Sequence, residues 1–204
     1  MRSHTRGAAQ ATSPVRVFRS RRAAVQPARP RTRISAVRQP VIRAATPDDV
    51  DAIHQLIETH VADGRLLPRR QEEIAAHASR FLVAVQGRRV VGCADLAPLS
   101  RHVAEVRSLV VSDSVRSRGI GRRLVDELAS RAAASGFETL CAFTHVAGYF
   151  VQMGFSIVPH TWLPEKIEAD CRSCALFRTC GQYAVMLPLA RARHACVPLT
   201  ALHA

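Results

Sequence analysis

Between residues 41 and 190 the spacing of apolar positions changes repeatedly, and each change predicts an element. VIRAA (41–45) is a short run with β-branched residues that reads as a strand. In TPDDVDAIHQLIETHVADG the apolar residues fall at Val50, Ile53, Leu56, Ile57 and Val61, the spacing of one helix face. Thr46 is its predicted N-cap, with Pro47 at the first helical position and acids in the first turn. GRLLPRR reads as a loop and QEEIAAHA as a short helix. FLVAVQ and VVGCADLAPL predict a hairpin across GRR, and HVAEVRSLVV (102–111) a third strand. After the loop SDSVRSRG, the stretch IGRRLVDELASRAAASG predicts a helix closed by Gly136. Ile120, Leu124, Leu128 and Ala132 step along one face of it. ETLCAFT (strand), VAGYFVQM (short helix), FSIVP (strand), a cysteine-bearing segment and YAVMLPL (last strand) complete a mixed α/β domain of about 150 residues. The order is β-α-α-β-β-β-α-β-α-β-β.

Charge changes the picture outside that domain. The chain of 204 residues carries a net charge of +13, but residues 1–43 hold eleven arginines and no acid. The remainder sets seventeen arginines and one lysine against sixteen acids, which leaves only +2. The folded part is close to neutral, which argues against a nucleic-acid partner. Residues 1–40 are rich in Arg, Ala, Pro and Ser and lack the apolar core of a secretory signal. Two readings stand for them: a disordered N-terminal extension, or a transit segment to a plastid or mitochondrion. The first implies a cytoplasmic protein. Residues 191–204 read as a C-terminal extension. No apolar run is long enough to span a bilayer, so no membrane partner is expected. Without an export signal, the cysteines at 93, 141, 171, 174, 180 and 196 are expected to be reduced.

The chemistry is concentrated in VRSRGIGRRLVDEL (115–128), where Arg116, Arg118, Arg122 and Arg123 crowd a helix start. The first turn of a helix presents unpartnered N–H groups and partial positive charge, and so attracts phosphate. Glycines at 119 and 121 allow close approach to the backbone. A dinucleotide fingerprint would need a third glycine where Leu124 stands, and no Gly-Lys-Ser/Thr follows as in a Walker loop.

Strand EVRSLVV, the RSRGIG loop and the amphipathic helix together resemble motif A of the GNAT superfamily, the acetyl-CoA-dependent N-acetyltransferases. AGYFVQMGF resembles that superfamily's next element, a short helix with paired aromatics ending in Gly-Phe. The resemblance implies a GNAT fold, a mixed and mostly antiparallel twisted sheet flanked by helices, over residues 41–190. It also implies acetyl-CoA as co-substrate, its pyrophosphate held by Arg116, Ser117, Arg118, Gly119, Ile120, Gly121 and Arg122, and its pantetheine arm along Leu109, Val110 and Val111. LLPRRQEEI, AEVRSLVV and WLPEKIEADCRSCALFRTCGQYAVMLPL are similar to the short N-acetylglutamate synthase-like branch, whose reaction is the first step of arginine biosynthesis. That branch would place acids where Gly181 and Gln182 stand. The implied acceptor is the α-amine of an amino acid, L-glutamate. The alternatives are another amine (another amino acid, a polyamine or a protein N-terminus) or a non-catalytic CoA-binding regulatory protein.

An amine attacking a thioester must first lose a proton, and Glu105 stands where many superfamily members carry that base. Alternatively it is a strand-face Glu paired with Arg107. Glu105 and Arg107 are two apart and share a strand face, so both line the cleft or neither does. A backbone N–H at Leu109 or Val110 is the candidate oxyanion donor. Many members carry a Tyr four residues before the glycine of Gly-Phe as acid to the leaving thiolate; Phe150 stands there, with Tyr149 turned away by about 100° of helix. Arg107 and Arg70 are the candidates for the acceptor's carboxylates, with Arg69 competing for the second role. Cys171, Cys174 and Cys180 have spacing open to zinc, but a second CxxC is missing, and a packed cluster of reduced thiols is the favoured reading. A homodimer is left open.

Overall fold

The computed structural model describes residues 39–62 and 66–189. Apart from Gln39 and Pro40, the N-terminal extension lies outside the described residues, as does the C-terminal extension with Cys196. Each predicted element is found: β1 (Val41–Ala44), α1 (Val50–Val61), α2 (Gln71–Ala76), β2 (Phe81–Gln86), β3 (Arg89–Pro98), β4 (Val103–Val111), α3 (Ile120–Ala134), β5 (Thr139–Thr144), α4 (Ala147–Val151), β6 (Ser156–Val158) and β7 (Tyr183–Pro188). One more, α5 (Pro164–Ala169), lies in the segment noted only for its cysteines.

The strands form one sheet in the order β1-β2-β3-β4-β5-β7-β6. Every neighbouring pair is antiparallel except β4 and β5. Helix α3 covers one face. Ile120, Leu124, Leu128 and Ala132 are buried there against Leu82, Ala104, Val106 and Leu140. Removing one such side chain, as in Leu124→Ala, is expected to cost about 2–5 kcal/mol. Helices α1 and α2 cover part of the other face, where Ile53, Ile57 and Ile74 pack on Phe81 and Val83. No helix among the described residues is long and apolar enough to cross a membrane.

Thr46 and Pro47 start a short 3-10 turn, Pro47–Asp49, that leads into α1. Asp49 ties the start down. Its carboxylate accepts from the Thr46 N–H at 2.8 Å and from both terminal nitrogens of Arg43 at 2.6 and 2.9 Å.

Two irregularities shape the molecule. The pairing of β3 with β4 slips by one residue between Cys93↔Val110 and Asp95↔Arg107. The extra residue is accommodated at Ser108, which sits at φ 49°, the left-handed conformation of a β-bulge. Straight alternation would keep Leu109 and Val111 on the face of Glu105 and Arg107; instead they pack with Ala104 and Val106 on the α3 side. The second is a fork. Parallel pairing of β4 with β5 is confined to Val103–Glu105 against Thr139–Cys141. Beyond Glu105 and Cys141 the strands part.

Candidate active site

The fork opens into a cleft of about 1070 Å³, walled by residues 106–111 of β4 and 142–146 at the end of β5. That volume suits a coenzyme-sized ligand together with a small acceptor. One end is the loop into α3, and the other is formed by the start of α2 and by α5.

At the loop end, Ser117 (φ 61°) and Gly119 (φ 73°) are both left-handed, which turns the chain sharply into α3. Gly119 is the N-cap, so its conformation is what glycine supplies there. The Arg123 N–H is bonded to Gly119 O at 3.0 Å, so the N–H groups of Ile120, Gly121 and Arg122 before it lie in the unpaired first turn. Arg116 does not reach into the cleft as a free cation. It donates to Val111 O at 3.3 Å and pairs with Asp113 at 2.5 Å. It also lies 2.7 Å from Nε2 of the buried His60. The other ring nitrogen of His60 lies 3.0 Å from Leu56 O, an acceptor, so Nδ1 carries the hydrogen and Nε2 accepts from Arg116. Arg116 thereby locks the loop to β4 and α1.

At the other end, four charged side chains form one network. Lys166 Nζ, from α5, donates to both oxygens of Glu105, at 2.7 and 2.9 Å. Arg107 Nε donates to Glu105 Oε2 at 2.5 Å, and its Nη2 donates to Asp170. Lys166 closes the ring on Asp170 at 2.9 Å. Glu105 is buried, 3% exposed, so its charge is neutralised by these two cations. Burial disfavours the charge on Asp170, but Lys166, Arg107 and Arg69 outweigh it and hold its carboxyl below the ordinary value. Burial likewise opposes the charge on Arg107, and Glu105, Asp170 and Asp95 reverse it, so its pKa is raised.

A third cation lies close by. Arg69 lines the cleft, held by Glu73 at 2.9 Å and by the fully buried Asp95 at 3.4 Å, while Arg80 donates to both oxygens of Asp95 at 3.1 and 3.2 Å. Its buried Nε has no partner among the described residues.

Of the predicted site residues, Glu105, Arg107, Leu109, Val110, Val111, Arg116, Ser117, Gly119, Ile120, Gly121 and Arg122 all line this one cleft. Glu105 and Arg107 do so together, and the ion pair between them also forms. Arg118 and Arg70 are not on the wall. Arg70 is the N-cap of α2: its carbonyl accepts from Glu73 and Ile74, and its side chain is exposed. The neighbouring Arg69, the competing candidate, is the one that lines the cleft. Lys166 and Asp170 escaped the sequence reading, although Pro164 marked a helix start and the i, i+4 spacing put them on one face.

Cys171, Cys174 and Cys180 also line the cleft. No group of three or more His, Cys, Asp or Glu side chains among the described residues is placed to hold a metal ion. Phe150 is buried against Phe155, ring centroids 5.2 Å apart, so no hydroxyl stands at the position where a Tyr was sought.

Residues 49–155 match the model of the acetyltransferase (GNAT) family. The chain belongs to that family. It is an acetyl-CoA-dependent N-acetyltransferase of the GNAT type. It is 32% identical over 148 residues to an uncharacterized N-acetyltransferase of Chlorobaculum tepidum, covering 72% of this chain and 96% of that protein. It is 30% identical over 140 residues to an amino-acid acetyltransferase of Mycobacterium tuberculosis, 66% of this chain and 79% of that one. Among solved structures, the N-acetylglutamate synthase of Neisseria gonorrhoeae, complexed with coenzyme A and N-acetyl-glutamate, superposes with a TM-score of 0.68 at 27% identity. That match covers 74% of this chain and 35% of the synthase, so the chain spans about a third of its length.

Proposed function

We propose that this GNAT enzyme transfers acetyl from acetyl-CoA to the α-amine of an amino acid, L-glutamate, the first step of arginine biosynthesis. The observation that carries the reading is the convergence of Arg69, Arg107 and Lys166 on the end of the cleft opposite the phosphate cradle. Balanced at rest by Glu73, Asp95, Glu105 and Asp170, these side chains offer paired donors for which the two carboxylates of an acceptor can compete. The naming of relatives as amino-acid acetyltransferases and the N-acetyl-glutamate bound by the gonococcal synthase point the same way.

Without acceptor, Lys166 and Arg107 spend their charge on Glu105 and Asp170. An incoming carboxylate competes with Glu105 and Asp170 for Lys166 and with Glu73 for the Nη2 of Arg69, and each bond it takes from Lys166 leaves Glu105 less neutralised. Glu105 then accepts the ammonium proton, directly or through a water. The amine attacks the thioester carbonyl, whose oxygen is stabilised by a backbone N–H of Leu109 or Val110; the C–S bond then breaks, and the second proton shed by the nitrogen goes to the departing thiolate, so that CoA leaves as the thiol. Glu105 is the catalytic residue in this scheme, and Arg69, Arg107 and Lys166 hold the acceptor. Thiol release on adding L-glutamate to the full chain and acetyl-CoA tests it. Release with a polyamine or peptide amine, and none with glutamate, would replace it.

A further inference from the structure

Tyr149 is a polar group of the cleft that this scheme leaves unused. It lies on α4, and its ring lines the cleft at the loop end. A Cβ built on Gly121 would collide with the Tyr149 hydroxyl. Gly121 is not in the left-handed region, so glycine is needed there for the closeness of the phenol and not for its backbone angles. The ring is fixed edge-on against Phe150, with centroids 5.6 Å apart and planes at 89°, and Phe150 is fixed in turn against Phe155. Among the described residues the hydroxyl makes no hydrogen bond. Burial, reinforced by Asp126 and opposed by Arg122, raises its pKa, so it stays a neutral O–H donor.

An unspent donor therefore stands over the first turn of α3, beside the unpaired N–H groups of Ile120, Gly121 and Arg122. We propose that Tyr149 is a coenzyme-binding residue, whose hydroxyl donates to the pyrophosphate held at that turn. It is not the acid that protonates the leaving thiolate. The thiol and the pyrophosphate sit at opposite ends of the pantetheine arm, and one phenol cannot serve both. The inference rests on the acetyl-CoA reading of the cleft.

The test is Tyr149→Phe, which keeps the ring and removes only the hydroxyl. Binding is measured for CoA and, by competition, for pantetheine, which ends in a hydroxyl where CoA carries its pyrophosphate. The expected result is a Kd for CoA raised roughly 10- to 100-fold, the range of a hydrogen bond to a charged group, with pantetheine changed by less than about twofold. Unchanged CoA affinity overturns the assignment, as does an equal loss for both ligands. So does a fall in turnover at saturating acetyl-CoA with CoA affinity intact, the signature of a general acid. If the unsubstituted chain itself fails to bind CoA, the coenzyme reading of the cleft falls with the assignment, and the two failures are thereby told apart.

Discussion

Lys166 donates to both carboxylate oxygens of Glu105, at 2.7 and 2.9 Å, across 61 positions of sequence. Glu105 occupies the last paired rung before β4 and β5 separate, so this contact closes the apex of the fork. Arg107 donates to one of the same oxygens, so two cations face this buried carboxylate. In the proposed scheme, an acceptor carboxylate that draws Lys166 away would free Glu105 to take a proton.

Glu105→Gln should lower kcat by roughly 10²- to 10⁴-fold, the span of general-base removal, while leaving the affinity for acetyl-CoA essentially unchanged. Steady-state kinetics across pH check this. A substituted enzyme that keeps the parent's pH–rate profile removes Glu105 as the base.

Arg69 and Arg70 are adjacent but face different ways, and this gives a paired comparison. Arg69→Ala should raise KM for the amino-acid acceptor by roughly tenfold or more, the loss of one charge-assisted contact, with KM for acetyl-CoA steady. Arg70→Ala should leave both constants close to their parent values. The reverse pattern would return the acceptor role to Arg70.

His60 holds Arg116 through its acceptor nitrogen, and Arg116 holds the loop. His60→Leu leaves the Arg116 guanidinium with a lost partner beside a buried apolar group, at a cost of about 1–3 kcal/mol in stability. The loosened loop should also raise KM for acetyl-CoA. Chemical denaturation and donor kinetics on the same variant check both. Unaltered donor kinetics would show that Val111 O and Asp113 alone suffice to lock the loop.

Asp49 sets a pH dependence of stability. Its bonds to Arg43, opposed by burial and aided by Thr46, lower its pKa from 3.8 to about 2. A carboxyl with a depressed folded pKa stabilises the fold above its unfolded value and ceases to do so as pH falls through the folded one. Asp49→Asn should therefore destabilise by about 1–2 kcal/mol at neutral pH, with the difference fading between pH 4 and 2. Denaturant melts of both proteins at neutral and acid pH read it directly.

The loop end of the cleft was legible in the sequence because its determinants are local. Gly119 caps α3 one residue before the predicted start, and Gly136 closes it at φ 85°. The four-step apolar face of α3 is buried along its whole length. The opposite end, with Glu105, Arg107, Arg69 and Lys166, was legible only in part, because its determinants are not local. The bulge at Ser108 reverses strand alternation without any glycine or proline to announce it. Helix α5 has six residues, too few for a periodic apolar face, and so Lys166 and Asp170 passed as part of a cysteine-bearing segment. Arg69 and Arg70 carry the same chemistry, and only the capping position of Arg70 decides which one turns inward.

The most direct test of the central claim is a competition. The purified full chain is given acetyl-CoA with equal concentrations of L-glutamate, a diamine and a peptide with a free N-terminus, and the acetylated products are identified by mass spectrometry. The account predicts N-acetylglutamate as the dominant product. Acetyl found on the diamine or the peptide, with none on glutamate, would contradict it.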